Sequence, residues 1–138
     1  MKTSQKKELD MKKAIKRYND LMDSLCMEYN TIGTRLSEDT DNWNLRDMVS
    51  ECQYVLDCCY EEGNSKSDGR YPEYWAFTAE DILDKNRYDR VVRHNNEEKE
   101  EYKRWLSRTR RLKNFINAYE PYIKDMKCAT GHCSKFDN

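Results

Sequence analysis

The sequence predicts an all-α protein, an antiparallel helical bundle of three long helices with a shorter helix or lid inserted between the second and third. Three observations carry that prediction. Apolar residues recur in alternating steps of three and four along much of the chain, which places them on one face of an α-helix. Apolar and charged residues each make up 37% of the 138 residues, a balance suited to narrow packing seams flanked by solvated faces. Finally, 25 basic side chains nearly cancel 26 acidic ones and ten tyrosines are present, so the composition is that of a folded chain. The length is that of a single helical domain, 1–138.

The first long helix is predicted over 6–36, from the stripe Met11, Ile15, Tyr18, Met22, Leu25, Tyr29, Ile32 and Leu36. A stripe sustained this long favours coiled-coil-like packing. Its tyrosines and methionines make a softer seam than a leucine zipper, so an intramolecular antiparallel partner is preferred to a parallel dimer. Residues 37–42 read as a polar turn. A second helix follows over 43–62, with Leu45, Met48, Cys52, Val55 and Cys59 in the seam, flanked by Val49 and Leu56. Gly63 is its expected stop, since glycine takes a left-handed conformation without a Cβ clash.

Residues 63–95 are assigned to a loop and a short helix. Asn64, Ser65, Ser67, Gly69 and Pro72 supply loop chemistry, and Thr78 with Asp81 three residues later reads as a capping box. The short helix carries Ile82, Leu83, Tyr88, Val91 and Val92. His94-Asn95-Asn96 either breaks it or lies within a longer helix. The last long helix is placed at 96–126 on Tyr102, Trp105, Thr109, Leu112, Ile116 and Tyr119, with a kink at Pro121. A tail, 127–138, ends the chain.

Catalytic devices are missing from the pattern. None of the four glycines sits in a phosphate-cradling loop, no nucleophile elbow or helical zinc motif occurs, and His94 and His132 are the only histidines. The chain is therefore expected not to be an enzyme and to need no cofactor. Residues 1–13 are charged, without the apolar run of a signal peptide, and no segment approaches the roughly 20 apolar residues of a membrane span. A cytoplasmic location follows, in which the six cysteines are expected to stay reduced.

Four groups of residues could carry function. Cys128, His132 and Cys133, around Gly131, hold metal-ligand chemistry that Cys58 or Cys59 would complete, but paired Cys-x-x-Cys knuckles are lacking. The expectation is a tail without metal and without a Cys128 to Cys133 disulfide. A basic stripe, Lys103, Arg104, Arg108, Arg110 and Arg111, has the charge of a nucleic-acid-binding helix, or of a solvated face paired with acidic neighbours. Those neighbours exist, because 37–63 carries one basic against eight acidic residues. On the second helix Asp47, Glu51, Asp57, Glu61 and Glu62 fall on the side away from the seam and form a candidate acidic face for a partner protein. Tyr71, Tyr74, Trp75 and Phe77 crowd the loop before Thr78, as a lid over the helices or an interface anchor.

Three stretches, 42–57 (NWNLRDMVSECQYVLD), 110–123 (RRLKNFINAYEPYI) and 127–134 (KCATGHCS), resemble small helical proteins encoded by bacteriophages and other mobile elements. That resemblance implies a role in conflict between phage and host, where such proteins, anti-CRISPR proteins among them, occupy a host nuclease or regulator. It transfers no site residue. The expected activity is thus non-enzymatic binding of another protein, such as a nucleic-acid-processing effector, by a monomer or homodimer. Binding of nucleic acid through 103–113 is the alternative.

Overall fold

Four α-helices and one 3-10 turn account for 82% of the residues described in the structure, a computed structural model covering residues 9–29, 43–69 and 71–129. They are α1 (Met11–Tyr29), α2 (Leu45–Ser65), the 3-10 turn Lys66–Gly69, α3 (Ala79–Leu83) and α4 (Lys85–Ile123). No strand occurs among the described residues, and the fold is the all-α helical bundle that the periodicity predicts. No described helix is long and apolar enough to cross a membrane.

Capping decides where the helices begin. Asp10 accepts the Lys13 N–H at 3.1 Å through its side chain, so α1 starts at Met11; residues 6–8 of the predicted helix lie outside the described residues. The predicted continuation to 36, with Ile32 and Leu36, and the turn at 37–42 lie outside the described residues. Asn44 and Asp47 form a reciprocal box at the start of α2. The Asn44 N–H donates to Asp47 Oδ2 at 2.9 Å, and the Asp47 N–H donates to Asn44 Oδ1 at 3.1 Å.

Gly63 does not end α2. It lies inside the helix because the Trp105 indole packs against it, so closely that a Cβ would stand 2.7 Å from Trp105 Cζ2. Of the described glycines, Gly69 takes the left-handed conformation, at φ 84°, closing the 3-10 turn. The predicted box of Thr78 and Asp81 is present and caps α3.

The largest revision concerns α4. It begins at Lys85, eleven residues before the predicted start, and runs 39 residues to Ile123, on the order of 58 Å. Asp84 starts it, accepting the Asn86 N–H at 2.9 Å through its side chain. His94-Asn95-Asn96 therefore sits within the helix, its side chains engaged by another segment, as described below. Pro121 is accommodated within the last turn, and the helix ends three residues before the predicted 126.

The chain divides into two compact units, one formed by 1–56 with 111–138 and the other by 57–110. In the first, α1 runs antiparallel to α4: Arg17 meets Tyr119, Tyr18 meets Phe115, and Arg111 meets Ser24 and Glu28. Tyr18, Met22 and Leu25 pack in a core with Leu45, Met48, Val49, Cys52, Val55, Leu112, Phe115, Ile116 and Tyr119, all buried. Burial pushes the Cys52 thiol well up, so it serves as a small apolar side chain. In the second unit, α2 and α4 are joined by Trp105, whose Nε1–H donates to the Cys59 carbonyl at 2.7 Å and whose ring meets Tyr60 edge-on. Lys66 pairs there with Glu101 at 3.7 Å.

Candidate protein interface

The acidic face predicted on α2 is not one surface. Asp47 is fully buried and Glu51 nearly so, because Asp47 is spent on capping: besides Asn44 it accepts the Ala129 N–H at 3.1 Å. Asn44 Nδ2 donates to the Lys127 carbonyl at 2.7 Å, so residues on both sides of Cys128 are held at the start of α2. Asp57, Glu61 and Glu62 are exposed, and Glu62 pairs with Arg108 at 3.3 Å and Lys66 at 3.9 Å. Helical periodicity assigned these carboxylates to a polar flank; it carried no information on which of them a cap would draw inward.

The basic stripe is likewise partly consumed within the fold. Arg108 is buried against Glu62, and Arg111 pairs with Glu28 at 2.9 Å while lying over the Tyr29 ring. Lys103 pairs with Glu100 at 3.6 Å, leaving Arg104 and Arg110 exposed.

Cys128 is disulfide-bonded, whereas Cys26, Cys52, Cys58 and Cys59 are free thiols. The expectation that every cysteine stays reduced rested on a compartment and not on the chain, and it fails at Cys128. A bonded sulfur is no metal ligand. His132 and Cys133 lie outside the described residues, among which no three His, Cys, Asp or Glu side chains gather around a metal-sized site.

The aromatic segment is where the structure concentrates surface chemistry. Residues 71–78 run along α4 without regular secondary structure and are pinned by side chains that, in sequence, could either break the helix or lie within it. Asn95 matches the Trp75 backbone twice, Oδ1 accepting its N–H at 2.8 Å and Nδ2 donating to its carbonyl at 3.0 Å. His94 Nε2 donates to the Glu73 carbonyl at 2.8 Å, and the Glu73 N–H donates to Glu98 at 3.1 Å. Rings reinforce this. Trp75 stacks on His94 with centroids 3.7 Å apart, Phe77 stacks on Tyr88 at 4.8 Å, and Tyr71 meets Tyr102 and Trp105 edge-on with the Lys66 ammonium over its ring, 5.0 Å from the centroid. Burial, with Glu101 and Glu98 nearby, pushes the Tyr71 hydroxyl up to about 12.

Tyr71 is thus an internal anchor, but its neighbours are not covered. Tyr74 is 53% exposed, Trp75 41%, Phe77 40% and Tyr88 44%. Ile82 and Leu83 of α3 are 63% and 87% exposed, and α3 buries no residue at all. Between Trp75, Ala76, Asp81, Arg87, Arg90 and Val91 lies a cleft of about 340 Å³. The sequence pattern had singled out the aromatics. It places Ile82, Leu83 and Tyr88 on the short helix without deciding their burial, and their exposure is the feature only the structure reveals. A second depression, of about 430 Å³, lies along α4 between His94 and Arg104.

No family model, curated protein or solved structure matches this chain.

Proposed function

We propose that this chain acts by binding another protein, using the exposed apolar surface made by Tyr74, Trp75, Phe77, Ile82, Leu83 and Tyr88. The observation that carries the reading is the exposure of six large apolar side chains between 74 and 88 on backbone that is capped and hydrogen-bonded in place. Apolar side chains collected on one segment mark an interaction site, and aromatic anchors dominate the energy of such sites. Their fixed backbone lowers the ordering cost that a flexible loop would incur on binding. The resemblance to phage-encoded helical proteins points to a host protein, such as a nucleic-acid-processing effector, as the partner whose action is blocked. Recognition is the whole activity in this reading, with no chemistry performed by the chain.

The test is affinity capture from a host lysate with the wild-type chain and with Phe77→Ser, Ile82→Ser and Leu83→Ser combined. Specific partners should be recovered by the wild type and lost by the variant, with circular dichroism unchanged because Ile82 and Leu83 support no core. Retention of every partner by the triple variant overturns the assignment of this surface. The nucleic-acid reading needs a run of available cations, and Arg108 and Arg111 are engaged internally.

A further inference from the structure

Building on the protein-binding reading, we infer that the cleft between the aromatic segment and α4 receives one bulky apolar side chain of the partner, with a neighbouring carboxylate meeting Arg90. The size fits: about 340 Å³ lies at the lower end of the roughly 300–1,000 Å³ typical of binding pockets, enough for an aromatic or long aliphatic side chain. The walls fit as well. Trp75, held against His94, Ala76 and the largely buried Val91 of α4 supply its apolar lining.

The lining charges then define what flanks that anchor. Asp81 is committed to the Thr78 N–H at 2.9 Å, and Arg87 to Glu80 at 2.7 Å. Arg90 makes no hydrogen bond or close ion pair among the described residues, although its charge helps to hold the Asp81 carboxyl down, and it is exposed on the cleft. One guanidinium with no hydrogen-bonded partner matches one carboxylate, and Arg does so in a bidentate geometry. A single-stranded nucleic acid would offer a base to Trp75 but would bring a row of phosphates. Asp81 on the cleft and Glu80 and Asp84 beside it oppose such a row, and the neighbouring Ile82 and Leu83 find no apolar counterpart in it. An acidic peptide segment bearing an apolar anchor satisfies both features.

Selection of a displayed library of random short peptides on the immobilised full chain tests the inference, with two variants for comparison. Ala76→Trp fills the cleft from an exposed position, and Arg90→Glu reverses its cation. Selected peptides should share an aromatic or long aliphatic residue beside Asp or Glu, and should bind each variant about tenfold or more weakly. Enrichment of basic peptides, equal binding to Ala76→Trp, absence of any enriched peptide, or displacement of selected peptides by an oligothymidylate would overturn it. If peptide selection fails while the lysate partner is still lost with Phe77, Ile82 and Leu83 changed, the cleft is excluded and the apolar surface stands. Failure of both removes the surface itself.

Discussion

At Gly63 two residue-level effects oppose each other. Alanine in a helix interior is favoured over glycine by about 1 kcal/mol, but the added methyl would stand 2.7 Å from Trp105 Cζ2. Trp105 is held by its bond to the Cys59 carbonyl and cannot simply retreat. Overpacking of this kind costs about 1–3 kcal/mol, so Gly63→Ala should lower stability by about 1 kcal/mol net. In a Trp105→Leu background the same change should become neutral or stabilising, as chemical denaturation of the four variants would reveal. A Gly63→Ala penalty that persists without the indole would disprove the contact as its cause. Asp47 offers a second case. Its carboxylate serves two backbone donors while fully buried, so Asp47→Ala should cost about 2–3 kcal/mol and speed hydrogen exchange at the Ala129 amide. Charge reversal there would unfold the start of α2 and could not test a surface.

The element that matters most is the segment 71–78 with α3 behind it. Asn95 replaces a neighbouring strand, satisfying both polar groups of Trp75, so Asn95→Ala should loosen the segment while leaving α4 intact. Faster exchange of the Trp75 amide with unchanged exchange in the middle of α4 is the expected pattern. Two titrations bracket this region. Hydrogen bonds from Thr78 hold the Asp81 carboxyl below its ordinary 3.8, so its contribution to α3 is present above that pH and is lost as pH falls beneath it. Tyr71 has the opposite sense. Burial raises its hydroxyl from 10 to about 12, so the contribution of the neutral ring is present below pH 10 and is lost as pH climbs toward 12. Amide exchange at Ile82 in acid, and Tyr71 fluorescence or absorbance in alkali, would check each. Insensitivity of Ile82 to acid, or ionisation of Tyr71 near 10, would contradict them.

For the whole molecule, the core of the first unit is the main source of stability. Tyr18 is fully buried between Trp43 and Phe115, and Tyr18→Ala should cost about 3–5 kcal/mol, lowering the thermal midpoint far more than Leu83→Ala at an 87% exposed site. Circular dichroism of the wild type should show more than half helix. Periodicity located this core well. The predicted seam of α2, from Leu45 to Cys59, is buried at every position, as are Thr109, Leu112, Ile116 and Tyr119 of α4. That legibility has a physical basis: a seam must repeat with the helix, and burial follows from the repeat. It failed where side chains serve other segments. The pattern left open whether His94 and Asn95 break the helix or lie within it, because their partners, Glu73 and Trp75, are about 20 residues away, and Gly63 looked like a stop because Trp105 is 42 residues away. By itself the sequence determined the all-α class, the buried stripes and the capping box at Thr78, since each depends on residues within a few positions of one another. Only the tertiary structure decided that Asp47 and Arg108 turn inward, that α4 starts at Lys85, and that Ile82, Leu83 and Tyr88 face outward, because burial and exposure depend on what distant parts of the chain bring alongside.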